Sequence, residues 1–142
     1  MAAFNSTQYA LYAATPRLLV PGREWGVKPL RYWFDFLSAA TVNIADTINL
    51  VVVPAGSRVV SGTIAQDVAT ASVTVSIGIT GSTARYLSAS SWAAAGAVAI
   101  ANTIALNIGD VLAADTPIFL TTAGASFASG KNVKGYIEVQ IS

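Results

Sequence analysis

The stretch Ser72-Val-Thr-Val-Ser-Ile-Gly-Ile-Thr80 alternates without a break. Val73, Val75, Ile77 and Ile79 fall on one face; Ser72, Thr74, Ser76, Gly78 and Thr80 fall on the other. A period of two fits a pleated strand and excludes a helix, whose faces repeat every 3.6 residues or so. The second face is small, polar and uncharged, which suits a solvated sheet surface and permits close approach of another chain. The closing run Asn132–Ile141 repeats the pattern, with Val133, Ile137, Val139 and Ile141 inward and Asn132, Lys134, Tyr136, Glu138 and Gln140 outward. In Arg31–Leu37 the aromatic residues Tyr32, Phe34 and Phe36 share a core face, opposite Arg31, Trp33 and Asp35.

Between these runs lies Thr47–Gln66, two apolar β-branched segments separated by Pro54-Ala55-Gly56-Ser57. Pro presets the φ of a turn and Gly accepts positive φ near its end, so this stretch predicts a hairpin. Both faces of Ile48–Val53 become apolar towards its end, as in a strand covered on both sides. Val42 and Ile44 are candidates for a short additional strand. Gly81-Ser-Thr83 reads as a turn followed by Ala84-Arg-Tyr-Leu87. Ser88 to Ala95 is rich in Ala and predicts a loop or one helical turn with Ser91 as its cap, followed by a strand from Gly96. Ile104–Ile108 predicts a short strand ending at Gly109-Asp110. Pro117–Thr122 is a strand with Pro first, where the missing N–H does least harm. The sum is about eight strands with turn signals every 8 to 14 residues or so, an all-β antiparallel β-sandwich or jelly roll over residues 31–142.

Residues 1–30 are different. Pro16, Pro21 and Pro29 interrupt them, yet they carry Phe4, Tyr9, Leu11, Tyr12, Leu18, Leu19, Val20 and Trp25. That is too much apolar surface for a disordered tail. An extended arm lying on a protein surface resolves the conflict, with another subunit expected to supply at least part of that surface. Arg17, Arg23, Lys28 and Arg31 are half of the eight basic residues of the chain. With Phe4, Tyr9, Tyr12 and Trp25 they make the arm the expected contact region. Single-stranded nucleic acid binding would use similar ingredients, but a net charge of +1 offers no clustered basic face, and subunit pairing is preferred.

Only 11% of the 142 residues are charged and 54% are hydrophobic, against about 25% charged in an ordinary soluble domain. One domain of this size would struggle to solvate its whole surface, so coverage by other subunits is expected. The most apolar stretch, Trp92 to Leu106, is shorter than the roughly 18 residues of a membrane span and is broken by Gly96, Asn102 and Thr103. No basic region precedes an apolar one, as a signal peptide requires.

Catalytic machinery is not evident. His and Cys are absent, which removes the commonest general base, the commonest metal ligand, the thiolate nucleophile and any disulfide. The seven carboxylates, Glu24, Asp35, Asp46, Asp67, Asp110, Asp115 and Glu138, show no spacing that selects an acid–base pair. Asp110 and Asp115 share a loop, but calcium needs three or more clustered oxygen ligands; turn and cap roles are expected for them. Gly78-Ile-Thr-Gly81 and Gly22-Arg-Glu-Trp-Gly26 lack the pattern of a phosphate loop. No enzyme activity, cofactor or metal is expected.

The segment Asp46-Thr-Ile-Asn-Leu-Val-Val-Val-Pro-Ala-Gly-Ser-Arg-Val-Val-Ser-Gly, continuing through Ala71–Gly78 and Ala84-Arg-Tyr-Leu87, resembles small tailed-bacteriophage virion proteins of the capsid decoration (cement) type. The resemblance covers residues 46–87, under a third of the chain. It implies a β-sandwich, often trimeric, made in the host cytoplasm and bound on the capsid surface across major capsid subunits. Its partners would be the major capsid protein and further copies of itself, without nucleic acid or membrane. A neck, tail or head-fibre-base component is the alternative within a particle. A carbohydrate-binding attachment module is the alternative from another class, with Trp92 and Tyr86 as its candidate cluster outside the arm.

Overall fold

The structure, a computed structural model, describes residues 2–6, 9–10, 30–67, 69–100 and 110–141. Nine strands lie among them: β1 (Ala3–Asn5), β2 (Leu30–Leu37), β3 (Thr47–Val53), β4 (Ser57–Gln66), β5 (Thr74–Ile79), β6 (Ser82–Ser91), β7 (Gly96–Ile100), β8 (Thr116–Ala123) and β9 (Asn132–Ile141). They form a five-stranded sheet in the order β1-β3-β8-β5-β6 and a four-stranded sheet in the order β2-β9-β4-β7.

The path follows from one hairpin. β5 turns into β6 through Thr80-Gly81, where Gly81 takes φ +86°, a conformation open to Gly at no steric cost. Moving outward from that turn, β4 pairs with β7, β3 with β8 and β2 with β9, all antiparallel. The chain is thus one long antiparallel ribbon, and successive segments of it fall in alternate sheets. Pairing of β5 with β8 and of β4 with β9 closes each sheet. This is the eight-stranded jelly roll, as the sequence pattern anticipated, with β1 added in parallel along β3.

The expected hairpin at Thr47–Gln66 is corrected by this topology. The turn exists: Ser57 N–H donates to the Pro54 carbonyl at 3.3 Å, and Gly56 has φ +79°. The strands it joins nevertheless lie in different sheets. Positive φ at the third turn residue alone is the type II pattern, which splays the flanking strands where the primed hairpin turns keep them paired. The arch is held from outside, with Gly56 N–H donating to the Leu112 carbonyl at 2.8 Å and Leu112 N–H donating to the Ser57 carbonyl at 2.9 Å. Asp115 Oδ1 accepts the Ala55 N–H at 3.0 Å, the turn role expected of it.

A second correction concerns residues 88–91, which continue β6 and are not a loop or helical turn. Ladder pairing with β5 carries the strand through Ser88–Ser91, and the surplus residue bulges at Ala89, at φ +45°, with its N–H donating to Ser76 Oγ at 3.0 Å. Ser91 does cap, but it caps a bend: its Oγ accepts the Ala93 N–H at 3.2 Å. Val42 makes one isolated bridge to Phe127, while Ile44 sits exposed in the next turn. The strand expected at Ile104–Ile108 lies outside the described residues.

The inner faces share one core. Phe34, Phe36, Ile64, Val133, Ile137 and Val139 come from the four-stranded sheet; Ile48, Val75, Ile77, Leu87, Ile118 and Leu120 come from the five-stranded one. Trp92 packs on Phe127 at 5.8 Å between ring centroids. Gly135 occupies an inward position of β9, opposite Phe34 on β2 and Ile64 on β4. A methyl there would meet the Thr63 carbonyl and, at 2.7 Å, the Phe34 ring. Gly135→Ala is therefore expected to cost about 1–3 kcal/mol through overpacking and to lower Tm by roughly 3–10 °C. An unchanged melting temperature in calorimetry would contradict this close approach.

Candidate contact surfaces

Two surfaces stand out, the first being where Ala2–Ser6 lie along β3. β1 lies on β3 with Phe4 opposite Ile48. Ala2 N–H donates to Asp46 Oδ1 at 2.8 Å, Thr47 N–H to the Ala2 carbonyl at 3.0 Å, and Ser6 N–H to the Asn49 carbonyl at 2.7 Å. The Ser6 hydroxyl donates to the Leu50 carbonyl, and Asn49 Nδ2 donates to Asn5 Oδ1 at 2.8 Å. Asp46 is 3% exposed and also accepts the Asn43 N–H at 2.9 Å through Oδ2. These two backbone donors, Ala2 first, hold its carboxyl below the ordinary carboxylate range. Phe4 meets Phe36 edge-on at 5.9 Å, so Ala3–Asn5 lie on the chain's own sandwich.

The second surface is the outer face of β2 and β9. Register places Trp33 opposite Tyr136 and Arg31 opposite Glu138. The Trp33 and Tyr136 rings are 4.9 Å apart and tilted by 57°, and the Arg31 guanidinium stands over the Tyr136 ring at 4.7 Å. Arg31 Nε donates to Glu138 Oε1 at 2.7 Å, and the Ser61 hydroxyl on β4 donates to Glu138 Oε2 at 2.5 Å. The Ser61 and Arg31 hydrogen bonds lower the Glu138 pKa, and the bond to Glu138 raises that of Arg31. Lys134 and Asp35 form a looser pair at 3.9 Å. Trp33 is 56% exposed and Leu37, further along the same face of β2, is 64% exposed.

Of the residues expected to make contacts, Phe4 is half-buried against Phe36, and the Tyr9 N–H donates to Ser6 Oγ at 3.1 Å. Tyr12, Arg17, Arg23, Trp25 and Lys28 lie outside the described residues. Tyr86 and Trp92 are buried at 1% and 3% exposure, so they form no sugar-binding groove. The Trp33–Tyr136 pair was missed as a cluster. Its members do read as outward-facing in the sequence, but nothing local tells that β2 and β9 are neighbours. Among the described residues no three of His, Cys, Asp and Glu gather where they could hold a metal ion.

No family model and no curated protein matches the sequence. Solved structures do share the fold. A chain of the capsid of Ralstonia phage GP4 superposes with a TM-score of 0.77, covering 99% of this chain and 99% of that one at 20% identity. A chain of the cyanophage Pam1 capsid asymmetric unit gives a TM-score of 0.71, covering 89% and 94% at 21% identity. One from the acidic stable capsid structure of Helicobacter pylori bacteriophage KHP30 gives 0.50, covering 80% and 95% at 17% identity.

The Asp46 anchor carries a pH signature. A carboxyl whose pKa is lowered by folding adds stability that is fully present above its unfolded value, about 3.9, and is lost as pH falls through the folded value. Asp46→Asn is expected to be less stable than wild type near neutral pH, with the gap closing below about pH 4. Denaturant titrations at several pH values check this, and a gap that stays constant down to about pH 2 would contradict it. Hydrogen exchange at the Ser6 amide should quicken in the variant at neutral pH.

Proposed function

We propose that this chain is a non-enzymatic structural protein of a bacteriophage particle, a decoration or cement protein that binds across major capsid subunits. The observation that carries the reading is the shared jelly roll over nearly the whole length of this chain and of one from a phage capsid. Eight-stranded jelly rolls recur in viral capsid domains. The low charge supports the same reading, because a surface with few solvated groups is suited to coverage by neighbours. The arm supplies contacts to neighbouring subunits through Tyr9, Tyr12, Arg17, Arg23, Trp25 and Lys28, while Phe4 and β1 tie its first residues to the body. Three copies associate into a trimer on the outer capsid surface. Repetition over a symmetric shell then multiplies contacts that are weak singly.

The test uses shells assembled from the major capsid protein of the same phage. The full chain is expected to bind them and raise their melting temperature. The triple variant Arg17→Ala, Trp25→Ala, Lys28→Ala keeps β1 and should bind at least about tenfold more weakly if these are hot-spot contacts. Wild-type binding by the triple variant would refute the arm's role. A chain that stays monomeric and unbound beside intact shells would refute the cement reading.

A further inference from the structure

We infer that the edge of β3 between Asp46 and Leu50 is a docking slot for an N-terminal strand, and that in the assembled protein Ala2–Ser6 of a second copy fills it. This rests on the trimer proposed above and names what links its subunits.

The slot and the strand that fits it are both in view. Phe4 lies opposite Ile48 in parallel register and meets Phe36 at 5.9 Å. At one end Asp46 Oδ1 accepts the Ala2 N–H at 2.8 Å. Asn49 Nδ2 donates to Asn5 Oδ1 at 2.8 Å, and at the other end the Ser6 hydroxyl donates to the Leu50 carbonyl. The partners that hold the strand, Phe36, Asp46, Ile48, Asn49 and Leu50, all belong to the sandwich. None of these contacts uses residues 7–29, so the slot offers the same partners to Ala2–Ser6 of any copy. The strand ends at Ser6, whose carbonyl accepts the Ala10 N–H at 3.0 Å and whose hydroxyl oxygen accepts the Tyr9 N–H at 3.1 Å. The chain therefore turns outside the slot, and a change of direction there leaves the slot contacts intact.

The length of the tether favours exchange. Residues 7–29 reach up to about 75 Å when extended at about 3.3 Å per residue. Within one copy they join Ser6 to Leu30. Phe4 lies on Phe36, about six residues along β2 from Leu30, so that gap is roughly 20–30 Å. A tether more than twice as long as its own gap also reaches the β3 of an adjacent copy. Three residues of ladder at a sheet edge open at little cost. Exchange then restores every contact that opening removes, which is why swapped strands are a low-cost route to oligomers. In the trimer, the neighbouring slot stands at high effective concentration. The occupant is specified by the slot itself. It asks for a backbone N–H at Asp46, an aromatic ring at Phe36 and an amide at Asn49, and this chain's own Ala2, Phe4 and Asn5 meet all three.

The experiment uses the full chain, which has no Cys of its own. Asn5 and Asn49 are register partners, so the double variant Asn5→Cys, Asn49→Cys reports which copy fills the slot. Sedimentation gives its oligomeric state, free and on shells of the major capsid protein. Oxidation and a non-reducing denaturing gel then show whether the bridges run within or between chains. Thermal melting verifies folding, and the pair Asn5→Cys, Thr74→Cys is the control expected to give no bridge. Most of the oxidised double variant is expected as linked dimers and trimers. A one-to-one mixture of the two single variants, refolded together, should give a linked dimer containing one of each by mass. Phe4→Ala is expected to weaken association of copies at least about tenfold. A trimer whose bridges all lie within single chains, or a Phe4→Ala variant that associates as wild type does, would refute the exchange and leave the proposed function standing. A folded trimer with no bridge of either kind would refute the slot itself. A chain that is monomeric both free and on shells would refute the proposed trimer, and the exchange with it.

Discussion

Closure of the two sheets depends on pairings between distant parts of the chain. Among the described strands only β5 and β6 meet through a two-residue turn. β4 must find β9 and β5 must find β8 before either inner face is covered. Those contacts compensate their loop entropy only after the whole ribbon has rolled up, so this topology belongs to the slow-folding, high-contact-order class. The common core rewards that closure: residues of both sheets pack into a single cluster, from Phe34 and Ile137 on one side to Ile77 and Leu120 on the other. Gly135 lies at the crossing of β2, β9 and β4, where no side chain fits.

This explains which parts of the fold were legible in the sequence. Strand identity was, because alternation in Ser72–Thr80 and Asn132–Ile141 is a local property that burial of one face imposes. Pairing was not. The Pro54–Ser57 signal marks a real turn, but whether strands stay side by side or diverge depends on turn geometry and on what holds its outside, here Leu112 and Asp115. The loop or helical turn read over 88–95 misleads for a related reason: β5 supplies a ladder that carries the strand as far as Ser91, and a bulge at Ala89 absorbs a residue that does not fit.

The surfaces divide in the same way. Residues 1–30 read as apolar surface without periodicity; of them Ala3–Asn5 pair with β3. Trp33 and Tyr136 each read as outward-facing, yet their adjacency exists only through the β2–β9 register. Trp92 and Tyr86 illustrate the reverse error. Aromatic residues with polar neighbours in sequence looked like a groove, but β6 turns the Tyr86 ring, and the chain just after β6 turns the Trp92 ring, into the core.

The antiparallel pairing of β2 with β9 sets Leu30 beside Val139, so the first residue of β2 and the last residues of β9 lie at one end of the same ladder. A pull between Leu30 and Ile141 would act across that ladder and peel it one hydrogen-bonded pair at a time. A ladder loaded along its strands must instead break many bonds together. The β2–β9 ladder is therefore softer to a pull between these two residues than to one directed along its strands.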